Sequence, residues 1–288
     1  MPRTLKNLLM SLFTAGVVLG GTELLLNLLD WPPPSIYVDG HRPIWTLHPD
    51  VDLELRHHEL ERDFSVHVSG VGFRGPEPVA PRIACLGDST TFGWGVREEE
   101  AWPALLGEQL GVEVLNAGVP GYSSYQGLAT LDRVLALKPD VVVLAYMIRD
   151  ADPASLPDSE QIDPGPANPL QIQRALVSLL PTPAPAPPAG ETQRVPPTAY
   201  AANVDALVRR VEASGAQALL LSFPVQEARS EHQAVLAERG ALSPELPAQA
   251  FFELDPIHLN VEGNQMLAQW LAAELARPSA PPAEPGEN

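Results

Sequence analysis

The chain has 288 residues, of which 45% are hydrophobic and 19% charged, enough to bury one core of ordinary size. Its formal net charge of -18, from 18 Lys and Arg against 36 Asp and Glu, argues against nucleic acid as a partner. A single cysteine, Cys85, excludes an intrachain disulfide, and His41, His48, His57, His58, His67 and His232 lack neighbours at metal-ligand spacing, so neither a metal nor another cofactor is expected.

The first element is an apolar run over residues 8–29, preceded by Arg3 and Lys6 and followed by Asp30. Its length suits a bilayer-spanning helix, and the basic flank predicts a cytoplasmic N-terminus. Glu23 and Asn27 shorten the uncharged part to the length of a signal-peptide core. No small-x-small cleavage site follows and no cysteine is available for a lipid, so an uncleaved signal anchor over residues 1–30 is favoured over a cleaved peptide, and both over an amphipathic core helix. Either of the first two readings exports the rest of the chain, and the anchor makes it single-pass in the inner or cell membrane, with the region after the anchor periplasmic or extracellular.

Residues 31–80 open with Trp31-Pro32-Pro33-Pro34 and carry the alternating run Phe64-Ser65-Val66-His67-Val68, which reads as a stalk leading to a small β-rich flap. His57-His58 is most simply a solvated pair. Gly70 to Gly75 reads as a turn docking on the main domain, with Phe73 as packing. From residue 81 to 277 the βα alternation is plain: strand 82–87, helix 99–110, strand 112–117, helix 123–137, strand 140–147, helix 198–214, strand 218–223 and a closing helix 261–276. That order predicts a right-handed, doubly wound parallel sheet. An insert over 152–197 breaks the rhythm. Pro181 to Pro188 should be extended and solvated, a short helix is expected over 169–180, and the whole reads as a lid, a docking arm or a plain surface loop. The tail 278–288 is expected to be disordered.

Two short stretches carry chemistry. The apolar strand Arg82 to Leu86 stops at Gly87-Asp88-Ser89, which puts Ser89 at the carboxyl end of a buried strand, where open α/β sheets place their crevices. A helix starting there would favour negative charge beside the hydroxyl. Far downstream, Asp255-Pro256-Ile257-His258 precedes the closing helix, and one turn can present both side chains, Asp255 holding one imidazole nitrogen so that the other faces a serine. Alone, the first stretch is a simple turn and the second an N-cap with a surface histidine. In this order and at these boundaries they supply nucleophile, base and orienting carboxylate. Trp94, in Gly93-Trp94-Gly95, and Tyr122, in Gly121-Tyr122-Ser123, fall near the crevice mouth, where they either stack on substrate or pack in the core.

The chain resembles the GDSL or SGNH hydrolase superfamily, in its exported, signal-anchored bacterial branch, over roughly residues 70 to 276. The resemblance rests on five stretches in order: Gly72 to Glu77, Leu86 to Val96, Leu115 to Ser124, Lys138 to Leu144 and Asp255 to Gly263. It implies a flavodoxin-like three-layer α/β/α sandwich with a central parallel sheet. It also implies a catalytic triad of Ser89, Asp255 and His258, and an oxyanion held by the backbone N–H groups of Ser89 and Gly118. Where the family has Gly-x-Asn-Asp, this chain has Met147-Ile148-Arg149-Asp150, so Arg149 stands in place of the third donor. The function implied is a serine acyl-ester hydrolase of the esterase or deacetylase type, taking an acyl ester that an envelope glycan could carry. The alternatives are an O-acetyltransferase of an envelope polysaccharide and a non-catalytic SGNH-fold binding or scaffold protein.

Overall fold

A computed structural model describes residues 2–29, 31, 36–38, 44–57, 62–161, 170–179, 190, 192–225 and 230–277. The proline run from Pro181 and the tail from Pro278 lie outside the described residues, as do His41 and His58. The chain divides into two compact units, Met1–His48 with Ile162–Pro188, and Pro49–Gln161 with Ala189–Asn288.

In chain order the elements are α1 (Arg3–Leu28), the hairpin β1 (Val51–His57) and β2 (Arg62–Val68), β3 (Ile83–Gly87), the single turn α2 (Ser89–Phe92), α3 (Trp102–Leu110), β4 (Val114–Gly118), α4 (Ser124–Leu135), β5 (Val141–Ala145), β6 (Pro153–Ala154), α5 (Gln171–Ser178), β7 (Thr192–Gln193), α6 (Pro197–Ala213), β8 (Gln217–Leu220), α7 (Ser230–Glu238), β9 (Phe251–Phe252), β10 (Asp255–Leu259) and α8 (Val261–Leu275). The fold is α/β, around a parallel sheet of order β4-β3-β5-β8. Its strands read as unbroken apolar runs because a central parallel strand is buried on both faces, and all five residues of β3 are buried. The helices show the other period: α6 buries Tyr200, Val204, Leu207 and Val211, one stripe of a 3.6-residue turn.

Pairing in register brings Gly87 opposite Gly118 on one side and Ala145 on the other. The chain leaves β3 toward β4, and leaves β4 by crossing over to β5, so the loops after these strands diverge at their carboxyl ends and open a crevice there. The β1–β2 hairpin belongs to the same unit as the sheet. Its Val68 bridges to Gly75, and Arg74 bridges to Asn116 of β4, so the turn between them docks on the sheet edge, with Phe73 buried.

Several elements depart from expectation. Strand β5 stops two residues early, because Met147 to Asp150 turn away from the sheet. The stretch Asp255 to His258 forms a short bulged strand against Phe251–Phe252 rather than a turn. The ends of the insert pair as the ribbon β6–β7, and its helix is confined to Gln171–Ser178.

Within the smaller unit, α1 is long and apolar enough to cross a membrane, with a mean hydropathy of 1.7 and no buried residue in that window. Glu23, which shortens its uncharged run, is satisfied there. Its two carboxylate oxygens accept the N–H groups of Gln171 and Ile172 at 2.8 and 2.9 Å, at the start of α5, and Asn27 donates to it at 3.1 Å.

Candidate active site

Ser89 is the first residue of α2, directly after β3, and its hydroxyl side chain is buried. Asp88 caps the turn: Oδ1 accepts the Thr90 N–H at 2.8 Å and the Thr90 hydroxyl at 2.7 Å. The carbonyl end of so short a helix needs partners too. Buried Arg74 donates to the carbonyls of Phe92 at 2.5 Å, Gly93 at 2.8 Å and Val96 at 2.8 Å, while its guanidinium lies 4.4 Å from the centre of the Phe92 ring. Burial pulls the Arg74 pKa down to about 10, against the opposing pull of Glu98, Glu99 and Glu100, so the group remains a cation at neutral pH.

The imidazole beside Ser89 comes from the opposite end of the chain. Asp255 Oδ1 accepts the backbone N–H groups of Ile257 at 2.9 Å and His258 at 3.1 Å, and Oδ2 lies 2.5 Å from His258 Nδ1. On the far side of the ring, His258 Nε2 lies 2.8 Å from Ser89 Oγ. Burial alone would raise the Asp255 carboxyl. The hydrogen bond and charge of His258, with the two backbone N–H groups, outweigh it and hold the carboxyl well below the usual carboxylate range. An ionised Asp255 keeps the proton on Nδ1 and turns the Nε2 lone pair to the serine. Buried Asn264 braces this arrangement: it accepts the Trp102 N–H at 2.9 Å and donates to the carbonyls of Leu259 and Asn260, both at 2.9 Å. Trp102 in turn donates its indole N–H to the Thr90 carbonyl at 3.1 Å.

The oxyanion side requires a correction. The N–H of Gly118 donates to Asn116 Oδ1 at 3.1 Å and is already engaged. This glycine serves close packing instead, since a Cβ there would stand 2.2 Å from the backbone nitrogen of Phe92 in α2. Along the following loop, Val119 N–H donates to Gly87 O, Pro120 has none, and Tyr122 N–H donates to Val119 O. Ser123 N–H goes to Gln126 Oε1 and Ser124 N–H to Asp150 Oδ1. Among the described residues of this loop, Gly121 alone keeps a backbone N–H with no protein acceptor. Val119 to Tyr122 is a β-turn with Pro120 at its second position and Gly121, at φ 84°, at its third, the pattern of a type II turn. The Pro-Gly dipeptide was the sequence signal for it.

Arg149 occupies the asparagine's place in the sequence, directly before Asp150. Among the described residues its only hydrogen-bond partner is Asp152, whose Oδ2 accepts from Nη1 at 3.0 Å, and its Nε is buried without an acceptor. Burial works against its charge, but Asp88, Asp152 and Asp255 more than offset that and raise its pKa. A fixed cation therefore stands in the field of the Asp88 and Asp255 carboxylates. Tyr122 is only 2% exposed, and burial pushes its hydroxyl up to about 12, so it packs in the core and does not line the crevice. Trp94 is half-buried, edge-on to Phe64 of the hairpin with ring centres 5.3 Å apart.

A family model described as the GDSL-like lipase/acylhydrolase family matches residues 85–266, well over half of the chain. No curated protein matches the chain. Among solved structures, a protein of the G-D-S-L family from Desulfitobacterium hafniense is 18% identical, with 66% of this chain and 97% of that one covered and a TM-score of 0.47. TesA is 20% identical over 67% of this chain and 98% of its own, with a TM-score of 0.46. The inhibitor-bound aryl esterase of M. smegmatis is 17% identical over 68% and 98%, with a TM-score of 0.44. With the parallel sheet described above and a family match that runs from β3 into α8, the chain belongs to the GDSL-like lipase/acylhydrolase family of the SGNH superfamily, a family of ester hydrolases.

Proposed function

We propose that the protein is an exported, membrane-anchored serine hydrolase of acyl esters, with Ser89, His258 and Asp255 as its triad. The observation that carries this reading is the 2.8 Å approach of His258 Nε2 to Ser89 Oγ, with Asp255 behind the ring at 2.5 Å. Ser89 Oγ attacks the ester carbonyl carbon as its proton passes to His258 Nε2, and Asp255 stabilises the imidazolium that forms. The carbonyl oxygen becomes an oxyanion, held by the N–H groups of Ser89 and Gly121. The tetrahedral intermediate expels the alcohol, which takes the proton from His258, and leaves an acyl-serine. Water, activated by the same histidine, then releases the acid. The location rests on α1 and the basic Arg3 and Lys6 before its apolar core.

The test ignores the identity of the ester. Full-length protein in detergent, treated with a fluorophosphonate probe, should form an adduct mapped by mass spectrometry to Ser89 alone, absent in Ser89→Ala. A folded sample that does not label would sink the hydrolase reading. Arg149→Asn should hold or raise the rate on a small neutral ester, because its amide adds a donor; one such donor is worth ~100- to 1000-fold at most. A fall of more than about tenfold in that variant would give Arg149 a catalytic role of its own.

A further inference from the structure

The insert leaves the sheet after β5 and returns into α6, and its two ends are built into the loops around Ser89. Val195 N–H donates to Asp150 O at 3.0 Å, Arg194 N–H to Asp152 O at 2.8 Å, and Asp158 N–H to Arg194 O at 2.8 Å. Arg194 then reaches across. Its Nε and Nη2 grip the two oxygens of Asp158 at 3.0 and 2.8 Å, its Nη1 donates to the carbonyl of Gly121 at 2.7 Å, and Nη2 also donates to Gln126 Oε1 at 2.9 Å. Asp158, with no exposed surface, also accepts the Ser123 hydroxyl at 2.6 Å. One guanidinium and one carboxylate, both supplied by the insert, thus hold the loop from Gly121 to Gln126.

We propose that the Arg194–Asp158 pair is a positioning device for the Val119–Tyr122 turn, so that the base of the insert sets the second oxyanion donor. This rests on the reading of Ser89 and Gly121 as the oxyanion hole. A Pro-Gly turn can exchange between two forms by rotating its central peptide, the one that carries the Gly121 N–H. The rotation turns that N–H away from where it points in the type II form. A charge-assisted bond on the Gly121 carbonyl, with the Ser123 hydroxyl tied to Asp158, restrains the dihedral angles beside that peptide and opposes the rotation. A largely buried ion pair is a poor source of net stability, and this one ties the base of the insert to Gly121, Ser123 and Gln126 through several directed hydrogen bonds. Arginine is required because its planar fork serves Asp158, Gly121 and Gln126 together, which a single ammonium cannot.

Arg194→Lys keeps a cation opposite Asp158 and separates positioning from folding. In full-length protein in detergent, p-nitrophenyl acetate hydrolysis is measured per site that a fluorophosphonate can label, so misfolded molecules are not counted. The expected result is a kcat per labelled site at least tenfold lower, with KM within about threefold, because the donor acts on the intermediate and not on bound ester. Asp158→Asn, which keeps the shape and loses the charge, should show the same split. Amide hydrogen exchange provides an independent reading: residues 119–123 should exchange faster in Arg194→Lys, while α3 and α8 stay as in the wild type. A kcat per site within twofold of wild type, or unchanged exchange over 119–123, overturns the proposal. A wild-type protein that fails to label at Ser89 counts against the hydrolase reading itself, and loop exchange alone then decides whether Arg194 holds the turn.

Discussion

Asp150 and Asp255 are both buried carboxylates, and burial has opposite outcomes for them. Asp255 has a histidine and two backbone N–H groups to favour its charge, so its pKa falls; the stability it contributes is present above the ordinary carboxylate value and is lost only as pH drops through the depressed one. Asp150 has the Ser124 N–H on Oδ1 but no partner on Oδ2, and burial raises its pKa to about 7, opposed by Ser124 and Arg194 and assisted by Asp88. Its contribution has the reverse sign: full below the unfolded value, and lost as pH rises toward 7. Between pH 5 and 8 that loss is on the order of 2–3 kcal/mol. Asp150→Asn should therefore vary less in stability across this range than wild type, as urea unfolding at the two pH values would show. An equal pH dependence in both proteins would mean that Asp150 is not the group responsible. Residue roles differ in how legible they are. Ser89 and Asp255 stand out because each begins an element beside a turn-forming neighbour, and His258 because it lies three residues after Asp255 and just ahead of the closing helix. The distinction between Gly118 and Gly121 does not, since it depends on Asn116 taking the Gly118 N–H and on α2 packing over that same glycine, which leaves the N–H of Gly121 without a protein acceptor among the described residues. Tyr122 is likewise ambiguous in sequence, because an aromatic beside a crevice block says nothing about depth.

At the scale of elements, α2 is one turn long and too short to stand alone. Arg74 makes it a fixed platform by filling three carbonyls at its open end. Arg74→Met should cost at least ~3 kcal/mol in urea unfolding, since buried acceptors lose a charged donor, and should slow fluorophosphonate labelling of Ser89 in whatever remains folded. Unchanged stability would mean that water replaces the guanidinium without penalty. The main sheet and its helices were legible because parallel strands appear as apolar runs and helices as stripes, two periods that are easily separated. Strand β10 was not: Asp-Pro-Ile-His-Leu has no alternation and contains a proline, and only the pairing with Phe251–Phe252 makes it extended. Helix α7, Ser230–Glu238, is not legible because its sequence carries little apolar periodicity. The insert's role at the site was also hidden, because Arg194 and Asp158 acquire meaning only where the chain returns.

For the whole molecule, α1 is the candidate membrane span on which the proposed location rests. Its apolar length fits a bilayer, and Glu23, which would be costly in lipid, has its oxygens occupied by the start of α5. Full-length protein should sediment with membranes, resist carbonate extraction and dissolve in detergent. Recovery wholly in the soluble fraction at full-length mass would contradict the anchor.

Ser89 and His258 lie 169 positions apart, and Asn264, which braces them, comes later still. Synthesis delivers Ser89 long before His258, so under the proposed triad a nascent chain halted anywhere before Asp255 carries only an ordinary serine alcohol. On the proposed triad, activation of the serine waits for β10, and a protease that clipped the chain ahead of β10 would abolish it while sparing every strand of the main sheet.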